Sequence, residues 1–189
     1  MLLATACATD GGGGPSGVTR SDLLALARND SGVAPPPVTI RTLSNKVLNT
    51  VTITHTDSVQ TAFLEIQLPA KSVLFANGAT VCDSCNYSIS ITLTPGGQYA
   101  FTIGPADLVF RLSSTPVVTV RYAAPFGDLS VYTQSPRYAT PGEFDQALAL
   151  WYERSPAKWV EGRNSSHTTA TTIVSAIDEP GPHLIAALR

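Results

Sequence analysis

From Val38 to the end of the chain, apolar side chains recur at every second position in short runs, and this alternation limits the fold more than any other feature. "VTIRTL", "VLNTVTITH", "AFLEIQL", "YSISITLT", "QYAFTI", "LVFRL", "VVTVRYA", "LALWYE", "KWVEG", "TTIVSAI" and "HLIAAL" are each rich in β-branched or aromatic residues. Asn-Gly, Pro-Gly-Gly, Gly-Pro and Ser-Pro turns separate them, which is the punctuation of about ten strands. Ile89, Ile91 and Leu93 alternate with Ser88, Ser90 and Thr92, so one face of that strand is dry and the other wet. Strand runs without long intervening helices predict an all-β, antiparallel β-sandwich rather than a parallel α/β sheet. The exception is "PRYATPGEFDQALALWYE", where Thr140, Pro141 and Glu143 carry the signals of a helix start whose tail merges with the next strand. No internal repeat is visible, which disfavours propellers and solenoids.

The first 37 residues read differently. "MLLATACATDGGGGPSG" passes from a short apolar run through Cys7 into Gly-rich polar sequence, similar to the end of a bacterial lipoprotein signal in which the cysteine is the lipid anchor. The alternative is an ordinary N-terminal tail. Residues 8–17 read as a flexible tether. "TRSDLLALARNDSG" then predicts a helix of two turns, with Thr19 or Ser21 as N-cap, Leu23, Leu24, Leu26 and Ala27 as its apolar face and Gly32 as its stop. Such a helix needs something to pack on. "APPP" at 34–37 marks the boundary, so the expected organisation is an extended N-terminal arm carrying a short helix (1–37) and a sandwich domain (38–189).

A chain of 189 residues supports one good core. Its formal charge of −2 is spread without a basic cluster, which argues against a nucleic-acid partner. No apolar run approaches the roughly 20 residues of a spanning helix.

"FLEIQLPAKSVL", "YAFTIGPADLVFRLSSTPVVTVRY", "LALWYERSPAKWVEG" and "TTIVSAIDEPGPHLIAAL" follow one another in an order that resembles the β-sandwich domain of zonula occludens scaffolds, netrin receptors and ankyrins, found also in secreted bacterial proteins. The resemblance spans roughly residues 61–188. It rests on the strand closing on Leu68-Pro69, the tyrosine-containing strand leading to Gly104-Pro105, the strand led by Pro116, the hairpin with Trp151 and Trp159, and the final strand pair. An insert at 123–146 and Asp178-Glu179-Pro180 depart from the family pattern. The resemblance implies a non-catalytic interaction or structural module.

Chemical potential concentrates at Cys82-Asp83-Ser84-Cys85. A redox pair places its first cysteine at a helix N-terminus, whereas the following "NYSISITLT" reads as strand. Haem attachment needs His after the second cysteine, and position 86 is Asn. Structural zinc needs further ligands, but His55, His167 and His183 lie far apart in sequence. A disulfide clipping a bend is the favoured reading, worth about 2 kcal/mol for so short a loop; metal binding and redox work remain the alternatives. A lasting disulfide indicates an extracytoplasmic compartment, periplasmic or cell-surface.

Glu65, Asp178 and Glu179 do not converge with a nucleophile, and no Gly-x-Ser-x-Gly, His-Glu-x-x-His or phosphate loop occurs. No catalysis, metal or cofactor is expected. Trp151 and Trp159 flank the "YERSPAK" hairpin; with Tyr152, or with Tyr132 and Tyr138, they form either core or an exposed platform for sugars or a protein. The expected function is a non-enzymatic extracytoplasmic interaction or structural module, its arm contacting a protein partner such as a membrane complex. Three alternatives stand beside it: an accessory periplasmic subunit of a photosynthetic or respiratory complex, a carbohydrate-binding adhesin domain, and a thiol-disulfide enzyme.

Overall fold

The alternating runs become strands in a computed structural model, which describes residues 17–30 and 32–189. In chain order these are β1 (Leu23–Ala25), β2 (Ala27–Arg28), β3 (Val38–Ser44), β4 (Asn49–Thr54), β5 (Ala62–Leu68), β6 (Val73–Ala76), β7 (Ala79–Thr80), β8 (Asn86–Leu93), β9 (Ala100–Gly104), β10 (Val109–Phe110), β11 (Val117–Arg121), β12 (Gly127–Asp128), helix α1 (Pro141–Ala147), β13 (Ala149–Ser155), β14 (Lys158–Glu161), β15 (Ser166–Thr169), β16 (Thr172–Ala176) and β17 (Gly181–Leu188). A seven-stranded sheet has the order β14-β13-β17-β9-β8-β3, with β1 added on β17, and a five-stranded sheet has the order β15-β16-β11-β5-β4. All pairings within them are antiparallel. The molecule is an all-β, sandwich-like fold.

Period two sets which side chains face the middle. In β8, Tyr87, Ile89, Ile91 and Leu93 are buried, while Ser88, Ser90 and Thr92 point away. They join Val51, Ile53, Ile66, Val118, Val120 and Ile173 of the five-stranded sheet in one core cluster. A second apolar cluster covers the other face of the seven-stranded sheet, where Leu23, Ala25, Ala100, Leu184 and Ala186 lie with Trp151 and Trp159. The expected helix start is present as α1. Thr140 Oγ1 accepts from Glu143 N, and the Glu143 carboxylate reaches back to Ala139 N, which satisfies first-turn donors.

The two-turn helix expected after Thr19 is replaced. Thr19 and Asp22 bond through their side chains and hold only a 3-10 turn, Arg20–Asp22. The apolar residues after it form strands. Leu23–Ala25 pairs with Leu188–Ala186, and Leu26 N bonds to Ile185 O while Tyr99 N bonds to Leu26 O. The register of β9 on β17 ends at Leu184, so β1 takes up the unpaired backbone beyond it. Leu24 and Leu26 enter the main core while Leu23 and Ala25 enter the second cluster. A two-turn helix could bury only one stripe of these side chains; the strand buries both faces, and that gain overrides weak local helix preference. Of the residues assigned to an arm, Leu23–Ala25 therefore belong to the seven-stranded sheet, Ala27–Arg28 pair with Gly127–Asp128, and Val18 bridges to Trp159.

Candidate functional site

Four segments far apart in sequence meet at one end of the five-stranded sheet and enclose a cleft of about 500 Å³. Its apolar walls come from Val33, Ala62, Pro125 and Phe126, and its polar rim from Asp57, Arg121, Thr171 and Thr172. Each loop is fixed by hydrogen bonds of its own. Asp57 accepts from Thr61 N at 2.7 Å and from the Thr61 hydroxyl at 2.6 Å, closing the β4–β5 turn. The Thr61 hydroxyl, the larger cause, holds the Asp57 carboxyl below its ordinary range. Thr56 N and Oγ1 bond to the carbonyls of Val33 and Ala34, tying the 33–34 segment to that turn. Tyr122 N bonds to Thr171 O at 3.0 Å. Thr171 sits at φ 65°, an uncommon conformation for a β-branched residue.

The charged members differ in availability. The acceptors of Asp57 are engaged by its own turn. Arg121, opposite Thr172 in the register, has its Nη2 3.9 Å from Glu65, and its buried Nη1 has no hydrogen-bond partner among the described residues. One guanidinium beside an apolar wall is the donor set for a molecule with an apolar body and one anionic group.

Behind the cleft lies a buried polar cluster. His55, 1 % exposed, stacks on Phe126 at 3.7 Å and meets Phe63 edge-on at 5.7 Å; neither ring nitrogen has a hydrogen-bond partner among the described residues. Burial pushes its pKa down. Arg28 and Asp30 form a 2.6 Å ion pair with little exposure, and the Arg28 guanidinium lies 5.8 Å above Phe63. Burial, the larger cause, and Asp30 push the Tyr99 phenol up. A second polar set, Tyr122, Asp145 and His167, holds α1 to the sandwich: the Tyr122 hydroxyl donates to Asp145 at 2.7 Å and lies 3.3 Å from His167 Nδ1. His167 Nε2 is 3.1 Å from the Leu148 carbonyl, to which it donates.

The residues singled out from sequence lie elsewhere. Cys82 and Cys85 form a disulfide with a Cα separation of 5.0 Å. It closes the bend between β7 and β8, with neither cysteine at a helix terminus. Buried Asn45 braces the bend, bonding to the carbonyls of Val73 and Cys82 through Nδ2 and to Cys85 O through its backbone N–H. Asp83 pairs with Lys71 at 3.2 Å and Arg111 at 3.6 Å. Trp151 and Trp159 share one face of the β13–β14 hairpin and are buried, as are Tyr152 and Tyr138; Tyr132 is partly buried against the core. The exposed aromatic platform is thus corrected to packing: Trp151 Nε1 donates to Ala186 O at 3.0 Å, and the Tyr138 hydroxyl bonds to Leu188 O. Glu65 lies on β5, between β11 and β4, and Asp178 and Glu179 pair with Arg163 and Arg154. Cys7 lies outside the described residues. No motif marked Arg121, His55 or Tyr122, because their partners come from other strands. Comparison of the chain with protein-family models, curated proteins and solved structures finds no match.

Proposed function

We propose that this chain is a non-enzymatic, extracytoplasmic binding module that recognises its target through the cleft bounded by Arg121 and Phe126. The observation that carries this reading is the cleft itself: apolar walls, one loosely held guanidinium and hydroxyl groups at the rim. Such a site suits a carboxylate with an apolar body, bound and released without covalent chemistry. The disulfide, on a bend and away from helix termini, supports a staple in an oxidising compartment more than thiol exchange. The resemblance to scaffold β-sandwich domains points the same way.

An NMR titration with 4-phenylbutyrate and related aryl carboxylates tests it. The expected result is resonance shifts confined to Ala62, Arg121, Phe126 and Thr172, lost in Ala62→Trp, whose indole fills the cleft. A set of such probes that leaves these resonances unmoved, or moves them equally in the filled variant, removes the cleft from consideration.

A second reading, the accessory subunit, is favoured by β3. Among the described residues this strand pairs with β8 alone, and its Val38 and Ile40 are 49 % and 63 % exposed. An apolar edge strand suits addition of a strand from a protein partner. Under this reading Ile40→Lys abolishes copurification of a stoichiometric partner from gently solubilised membranes, and an unchanged copurified set counts against it.

A further inference from the structure

Beyond the residues assigned a role so far, two arginines converge on one backbone carbonyl. Arg20 Nη1 lies 3.2 Å, and Arg189 Nε 3.4 Å, from the carbonyl oxygen of Leu23. Arg20 Nη2 donates to Gln98 at 2.8 Å. Neither arginine has an ion-pair partner among the described residues. Asp22, beside them in the fold through its own carbonyl bond to Arg189 N, has its carboxylate engaged by Thr19. A guanidinium carries five N–H donors in a planar fork, so most of the donors of both groups have no acceptor among the described residues. Two like charges on one neutral carbonyl repel each other; burial and the Arg189 charge accordingly lower the Arg20 pKa.

Both side chains line a cavity of about 200 Å³ whose remaining wall includes Gln98, Gln134 and the Gly96-Gly97 turn. The turn is held rigid: both glycines have positive φ, 107° and 67°, and Gly97 O accepts from Arg28 N at 2.6 Å. Arg20 opens the 3-10 turn that leads into β1, and Arg189 directly follows β17, with which β1 pairs. The β1–β17 pairing brings the two flanking residues together, and the bond from Arg189 N to Asp22 O fixes their approach.

We propose that Arg20 and Arg189 form a binding site for a phosphoryl group. A phosphate oxygen pair matches a guanidinium fork, and a dianion relieves the repulsion between two forks. Gln98 and Gln134 add amide donors at the cavity wall. The site is distinct from the Arg121 cleft and stands whether or not that cleft binds anything.

Inorganic phosphate titrated into the whole chain, read by calorimetry and by Arg Nε resonances against chloride at equal ionic strength, tests the proposal. Saturable binding is expected, weakened about tenfold or more in Arg189→Gln and in Arg20→Gln, since a charge-assisted bond lost from such a pair has that worth. Arg189 is exposed, so its variant keeps the fold even where Arg20→Gln does not. Vesicles of phosphatidylglycerol, compared with phosphatidylcholine, separate the sources. Retention on the anionic vesicles that both arginines are needed for identifies a lipid headgroup, and phosphate binding without retention identifies a soluble phosphate ester. Either outcome upholds the site. A phosphate response that chloride reproduces, or affinity within twofold of wild type in Arg189→Gln, overturns it, as does vesicle retention without any binding of inorganic phosphate.

Discussion

Acidification from about pH 7.5 to about pH 4.5 is expected to cost this protein about 2.5 kcal/mol through a single imidazole, that of His183. The ring lies between the sheets: it is 1 % exposed, stacked at 5.3 Å on Phe101 and tilted against Tyr152 at 6.2 Å. Its Nδ1–H donates to Gly181 O at 2.8 Å, while Nε2 has no partner among the described residues. A proton added at Nε2 would create a charge facing aromatic rings, so burial lowers the pKa from 6.5 to about 4. The unfolded chain takes up that proton near the ordinary value and the folded chain refuses it. The contribution is therefore fully present above the unfolded pKa and is lost as pH falls toward the folded one. At about 1.4 kcal/mol per pH unit, the complete loss is about 3 kcal/mol, most of it reached by about pH 4.5. Urea unfolding followed by tryptophan emission at both pH values, for wild type and His183→Phe, isolates the effect. The variant forfeits the bond to Gly181 at every pH, about 1 kcal/mol, but has no proton to refuse. His55, also buried, is common to both proteins and cancels in the difference. Acid sensitivity equal in the two proteins to within about 0.5 kcal/mol refutes the reasoning.

Removing the disulfide as Cys82→Ser with Cys85→Ser lowers stability by about 2 kcal/mol in the chain-entropy account; alkylation of unreduced wild type at either cysteine, detected by mass, would contradict the bridge. Tyr122→Phe deletes the hydroxyl that joins Asp145 to His167, which costs about 1–2 kcal/mol and speeds amide exchange in α1; unchanged exchange there argues against the tie. Both indoles are buried, at 7 % and 8 % exposure, so native emission is blue-shifted and protected from acrylamide, and a red-shifted, quenchable component contradicts the packing assigned to the hairpin.

The strands were readable because their cause is local. Side chains on a pleated backbone alternate every residue, so "YSISITLT" reveals its wet and dry faces without a partner. The start of α1 was readable for the same reason, since a cap acts over three residues. Leu23, Leu24 and Leu26 were misread because three leucines fit a helical stripe as well as a strand with two dry faces. Only the vacant backbone of β17 beyond Leu184 decides between them.

The same division runs through the sites. The Cys82–Cys85 staple is the reading the sequence favours, because two residues of spacing and a following strand disfavour the other chemistries, and the structure decides for it. Whether Trp151 and Trp159 face water or protein depended on β1 and β17 completing the sheet beside them. The cleft joins Val33, Asp57, Arg121 and Thr172, and the paired cations join Arg20 to Arg189. Residues so far apart along the chain leave no shared pattern in it, since what unites them is the register between strands. That register is set by the burial of many side chains together.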